Sequence, residues 1–280
     1  MKTARDSTAS YLKLARIGNV ILAFLSVEVA GILCGLDIAR SWQIFAAAVA
    51  ASLITAGGNA VNDLFDVDID AINRPRRPLV SGKLTTRQAA NFYIVTTLAG
   101  LVISAAVNVW TLLIASAAGV LVFMYSFRFK RMIFLGNFVV ASVTGLAFLY
   151  GGAAVGDIRN VYPAAAFAFL ANLIREIIKD AEDVKGDGEI GVRTIATKYG
   201  TRTSAWLSII LTAILLFVAW GAFQLGILPI QFLTVCGLTI FPIGIYITYL
   251  LISRDDFSEA SFGYKLMMIF GLVALIVGKV

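Results

Sequence analysis

Nine stretches of mostly apolar residues divide this chain, at roughly 17–36, 42–62, 88–107, 109–126, 132–155, 160–179, 204–223, 228–251 and 263–279. A helix rises about 1.5 Å per residue, so about 20 residues cross a hydrocarbon core of ~30 Å. In lipid every backbone N–H and C=O must be paired within the span itself, and for runs of this length only a helix does that. Composition agrees. Of 280 residues, 59% are hydrophobic and 14% charged, with a mean hydropathy of +0.87; soluble domains average about 45–50% and about 25%. The expected fold is all-α: a polytopic membrane protein with nine transmembrane helices in one domain, 1–280. No small-residue cleavage site follows the first run, so it reads as a membrane helix and not a signal peptide. The last span runs to the end of the sequence, so no C-terminal domain is expected.

The lysines and arginines predict which side each loop faces. With the N-terminus in the cytoplasm, nineteen of the 23 fall on the cytoplasmic side. Only Arg40, Arg159 and Lys279 fall opposite, and Arg175 lies within a span. Short cytoplasmic loops carry such an excess. A cell-membrane protein with cytoplasmic N-terminus and active-site loops is expected, in contact with membrane lipids and with no nucleic-acid partner. Cys34 and Cys236 lack metal-type spacing and read as small buried hydrophobes. There is no histidine, which excludes histidine bases and histidine metal ligands.

Against this apolar background stands GGNAVNDLFDVDIDAINRPRRPLVSG, residues 57–82. A second unusual stretch, REIIKDAEDVKGDGEIGVRT, covers 175–194. An offset of 117 carries Asp63, Asp66 and Asp70 onto Asp180, Asp183 and Asp187, Asn59 onto Glu176, and Arg76 onto Arg193. Gly18-Asn19 recurs as Gly136-Asn137. This predicts two related four-helix units, roughly 10–126 and 128–251, with a ninth helix added. An even number of helices gives both units the same orientation, so both acidic stretches belong on the cytoplasmic side.

Residues spaced i, i+3 and i+7 share a helix face. Asn59, Asn62 or Asp63, Asp66 and Asp70 are therefore expected to point one way, as are Glu176, Asp180, Asp183 and Asp187. A solvated helix end explains one such cluster. Two clusters at equal spacing, each reaching into an apolar span, point to a site, because polar groups at membrane depth are expensive. Carboxylates gathered this closely need a hard cation, and oxygen donors favour magnesium or calcium. Magnesium typically completes its shell with substrate phosphates. The basic residues nearby then serve the anion: Arg74 and Arg77, set by Pro75 and Pro78 in a loop expected to be extended, and Arg128 and Lys130 in YSFRFK. Positive-inside bias alone explains most of the other basic residues. A prenyl diphosphate fits such a site, with Tyr125 and Tyr150 as candidate aromatic faces for the developing allylic cation. Membrane-interface or packing roles explain those tyrosines equally well.

These residues resemble the UbiA superfamily of intramembrane prenyltransferases. Its first motif, N-D-x-x-D-x-x-x-D followed by N-R-P-x-R-P, is complete here from Asn62 to Pro78. Its D-x-x-x-D motif corresponds to Asp183 and Asp187, and its Tyr-Ser…Lys element to Tyr125, Ser126 and Lys130. The resemblance implies Mg2+ held through diphosphate by Asn62, Asp66, Asp70, Asp183 and Asp187, with Asn59, Asp63 and Asp180 assisting. It implies phosphate contacts from Lys130, Arg74 and Arg77, with Arg16 and Lys179 as further candidates; Arg175 is a candidate because it lies too deep in a span for topology alone to explain. YLKLARIGN and REIIKDAEDVKGD look most like archaeal members that move a geranylgeranyl group from geranylgeranyl diphosphate to the free hydroxyl of geranylgeranylglyceryl phosphate. That reaction forms the second ether of archaeal lipids. GVRTIATKYG departs by lacking the proline often found after the threonine. The rival readings are an aromatic acceptor such as 4-hydroxybenzoate and, more remotely, a cation transporter. In a transporter the acids belong near the bilayer midplane; here they sit at span ends beside arginines.

Overall fold

The computed structural model describes residues 4–35, 41–184, 188 and 191–279. Among them the regular structure is helical throughout. Among the described residues eight helices are long and apolar enough to cross a membrane, and a bent pair makes nine if it forms one span. They match the apolar runs to within a few residues. The bent pair holds one element that hydropathy did not predict. Helix α1 (Ala4–Ala15) precedes α2 (Ile17–Leu33), and the axis turns by 57° between them. At the break, Arg16 adopts left-handed dihedrals, φ 51 and ψ 65. A non-glycine residue there carries strain of about 1–3 kcal/mol.

The chain divides into two compact units. One comprises 1–129 with 146–161, the other 130–145 with 162–280. In the first, α3 (Ser41–Phe65) is the central helix and packs on α1, α2, α5 (Thr86–Val107) and α6 (Val109–Phe127). Small residues permit the close approach. A Cβ on Gly57 would lie 2.5 Å from Thr97 Oγ1 and 2.8 Å from Thr96 Oγ1. α3 therefore meets α5 nearly backbone to side chain just before Asn59 and Asn62, as expected of close packing between membrane helices. Capping boxes fix the starts of α5, through Thr85 and Gln88, and of α6, through Asn108 and Thr111.

α7 (Leu135–Val155) begins in the second unit and finishes in the first. In the second unit α8 (Tyr162–Glu182) packs on α9 (Ile195–Tyr199), α10 (Thr201–Gln224) and α12 (Phe257–Lys279). α11 (Ile230–Arg254) includes two π-helical stretches, Cys236–Ile240 and Leu250–Arg254. The first lies just before Pro242, whose missing N–H disrupts the α ladder. Large side chains such as Val102, Phe217 and Leu238 are exposed on these helices, as a lipid-facing surface requires. The acidic segments occupy matching places, since adding 117 to the bounds of α3 gives 158–182, against Tyr162–Glu182 for α8.

Candidate active site

In the first unit the acidic face is not one continuous helix. α3 ends at Phe65 and a short helix α4 (Val67–Asn73) follows, with Asp66 at the junction at φ −104 and ψ 7. The break sorts the polar groups into two sets. Asn62 donates from Nδ2 to Asp66 Oδ2 at 3.0 Å. Asp63, only 3% exposed, accepts at Oδ1 from Arg16 Nη2 at 2.6 Å and from Arg77 Nη1 at 2.7 Å. Arg77 Nη1 also pairs with buried Asp70. A single arginine thus bridges the two acids on either side of the break, and Arg16 is held in its strained conformation by one of them. Asn59 fixes the same corner by donating to the Ala15 carbonyl at 2.8 Å.

The loop with Arg74 and Arg77 is folded and not extended as the prolines suggested. Arg77 N–H bonds to Arg74 O at 3.0 Å, and Ser81 N–H to Arg77 O at 2.9 Å. Pro75 takes the second position of the first turn, where its fixed φ is favourable. This turn brings Arg77 back onto Asp63 and Asp70, while Arg74 stays exposed. Burial pushes the Asp70 carboxyl above its ordinary range. Arg77 pulls it down, and Asp63 and Asp66 push it up. Arg77 is lowered, first by burial and then by the positive charge of Arg16.

The chain's own groups fit magnesium only in company with a substrate. Among the described residues no three Asp, Glu, Cys or His side chains come together as a metal site. Asn62 Oδ1, however, is buried and has no hydrogen-bond partner. An amide oxygen only accepts, so this orphan needs a donor or a cation. Magnesium usually takes one or two carboxylates from protein and the rest of its shell from phosphate and water. Asn62 and Asp66 beside a diphosphate meet that requirement.

In the second unit Asp180 accepts from Asn137 Nδ2 at 2.8 Å. Asn172 donates to Thr144 Oγ1 at 2.8 Å. Glu176, 8% exposed, lies between them on α8, with Arg175 Nη1 at 2.7 Å and Lys179 Nζ at 3.8 Å. Asp183 is exposed beyond the end of α8, and Lys130 sits half-buried in the 3-10 turn Phe129–Arg131. Asp187 lies outside the described residues. Asn137 stood out in the sequence only as an echo of Asn19, and nothing there assigned it a partner. Asn172 and Thr144 were missed; a lone asparagine inside an apolar span was the available signal.

The three remaining candidates belong to the first unit. Ser126 is buried and donates to Val122 O at 3.0 Å, within its own helix. Tyr125 is half-buried near the end of α6. Tyr150 is a packing residue. It is 4% exposed in a core with Val27, Ile44 and Ala115, and its hydroxyl lies 2.8 Å from Ser104 Oγ. Its ring packs among these side chains, which fits the packing role the sequence also allowed.

Known proteins resemble this chain in sequence and in fold. The chain is 41% identical over 198 residues to a digeranylgeranylglyceryl phosphate synthase of Methanopyrus kandleri, covering 68% of this chain and 70% of that protein. A solved structure described as a digeranylgeranylglyceryl phosphate synthase in membranes matches with a TM-score of 0.78 and 30% identity, over 98% of each chain. A UbiA homologue from Archaeoglobus fulgidus, solved bound to GPP and Mg2+, shares the fold with a TM-score of 0.71 at 21% identity, over 95% of this chain and 99% of that one. Residues 24–272 match the UbiA prenyltransferase family, and the chain belongs to that family of membrane prenyltransferases.

Proposed function

We propose that this prenyltransferase moves a geranylgeranyl group from geranylgeranyl diphosphate to the free hydroxyl of geranylgeranylglyceryl phosphate, forming the second ether of an archaeal lipid and releasing diphosphate. The diphosphate chemistry rests on one observation: a buried, unpartnered Asn62 Oδ1 beside Asp66, next to an arginine pair anchored on Asp63 and Asp70. The phosphate-bearing acceptor rests on the likeness to relatives named for that product.

Asn62, Asp66, Asp70, Asp183 and Asp187 are the proposed ligands for magnesium diphosphate. Bound magnesium would neutralise the diphosphate and stabilise it as a leaving group. Arg77 and Arg16 bring fixed positive charge to the same end of α3 and act on phosphate oxygens through charge-assisted hydrogen bonds. Arg74 and Lys130 are further phosphate contacts, and Tyr125 remains the candidate aromatic face. The N-terminus and both acidic segments are assigned to the cytoplasmic side, on the distribution of lysine and arginine.

The test is a parallel assay of the purified chain. Geranylgeranyl diphosphate and magnesium are supplied with either geranylgeranylglyceryl phosphate or 4-hydroxybenzoate, and products are read by mass spectrometry. A diether phosphate is expected. A prenylated benzoate instead moves the protein to quinone synthesis and overturns the acceptor reading. EDTA is expected to abolish turnover, and undiminished product in its presence rejects the metal requirement.

A further inference from the structure

The two acidic helices differ where the sequence repeat aligns them. Asn59 on α3 is neutral, and its amide is tied to the Ala15 carbonyl. Its counterpart Glu176 on α8 is a buried acid between two cations, Arg175 at 2.7 Å and Lys179 at 3.8 Å. Residues 172, 176 and 180 share one face of α8. The outer two are already bonded to neutral partners from α7, Thr144 and Asn137. Glu176, between them, has long cationic side chains for neighbours. Those side chains are 25% and 35% exposed, against 10% for the glutamate side chain. The positive groups reach outward and the acid lies behind them.

We infer that Arg175 and Lys179 hold the phosphate of the acceptor lipid and that Glu176 is the general base that takes the proton of its free hydroxyl. This rests on the acceptor reading above. An arriving phosphate monoester is a strong competitor for guanidinium and ammonium. As the two cations turn to phosphate, they release the Glu176 carboxylate to accept a hydrogen bond from the acceptor hydroxyl. The carboxylate is therefore freed by the seating of the acceptor. Glycerol has three carbons, so the free hydroxyl lies at most two carbons from the phosphate-bearing one. A base touching both phosphate-binding cations is within reach of it. In the step, the C1–O bond of the prenyl diphosphate breaks and its electron pair leaves on diphosphate. The acceptor oxygen forms the new bond to C1, and its proton passes to the Glu176 carboxylate.

The test uses full-length protein, geranylgeranyl diphosphate, and two acceptors: geranylgeranylglyceryl phosphate and the same lipid without its phosphate. Glu176→Gln is expected to lower kcat by about 100-fold, as loss of a general base does, with both KM values within about threefold of the parent and the thermal midpoint retained. Glu176→Asp restores part of the rate. Lys179→Met keeps the Arg175–Glu176 pair and is expected to raise the acceptor KM about tenfold, leaving the donor KM and the KM for the dephosphorylated lipid unchanged. Glu176→Gln with kcat near the parent value overturns the base assignment. Lys179→Met with an unchanged acceptor KM overturns the phosphate assignment, even if Glu176→Gln fails to fold. A parent enzyme that ignores geranylgeranylglyceryl phosphate sinks the acceptor reading and this inference with it. Turnover by the parent with indifferent variants sinks this inference alone.

Discussion

At the scale of single residues the site is organised by pairing, and pairing decides which acid does what. Asp63 and Asp66 are both members of one motif, yet Asp63 is buried between two arginines while Asp66 meets Asn62 at the helix break. Asp63 therefore positions cations, and Asp66 is the better placed of the two for metal. Asp63→Ala is expected to destabilise the protein by about 3 kcal/mol, the low end for removing one partner of a buried pair, because Arg16 is part-exposed and can turn to water. Thermal unfolding in detergent measures it, and a loss below about 1 kcal/mol would place this pair among surface salt bridges. Arg77→Ala should weaken diphosphate binding by tenfold or more, since charge-assisted contacts to phosphate are about twice as strong as neutral ones. Titration calorimetry with a prenyl diphosphate and magnesium checks it, and unchanged affinity returns Arg77 to a topological role. Asn62→Leu keeps the volume and removes the orphan oxygen, so the magnesium concentration for half-maximal rate should rise. Spacing alone put Asn62 or Asp63, Asp66 and Asp70 on one face of one helix, and the break at Asp66 divides them into two sets. Spacing did not reveal their partners, because hydrogen bonds depend on where a segment distant in the chain comes to rest.

At the scale of elements, hydropathy located the spans well and the breaks poorly. The run at 42–62 became α3, ending at Phe65, because apolar composition fixes where lipid is crossed. The breaks at Arg16 and Asp66 follow polar residues whose dihedrals the hydropathy pattern does not encode. The proline loop illustrates the same limit. Proline restricts its own φ and its neighbour, which suits an extended strand and the second position of a turn equally. Here Arg77 had acids to meet, and the turn prevailed. Close packing around α3 gives a further prediction. Gly57→Val puts branched carbon into occupied space: its Cβ alone would fall 2.5 Å from the Thr97 hydroxyl and 2.8 Å from that of Thr96, so α3 and α5 must separate. A lowered thermal midpoint and reduced turnover are expected, since overpacking costs about 1–3 kcal/mol. An unchanged midpoint would mean that α5 yields without strain.

At the scale of the whole molecule, the charge distribution predicts sidedness. In a variant whose native Cys34 and Cys236 are replaced by alanine, a single cysteine at Arg76 or Ser81 should react with an impermeant maleimide only from the cytoplasmic face of sealed vesicles. Labelling from the opposite face would invert the topology and both acidic segments with it. The sequence by itself determined the helical membrane fold and the span positions, and it set the acids of the candidate site at span ends. Each of these follows from local composition: about twenty apolar residues must pair their own backbone, and acids at a span end must be neutralised. The tertiary structure alone decided that Arg16 and Arg77 converge on Asp63, that Asn137 answers Asp180 and that Tyr150 packs in a core with Val27, Ile44 and Ala115. Those are contacts between side chains whose distance is set by how helices pack, and no residue's neighbours in the chain carry that information.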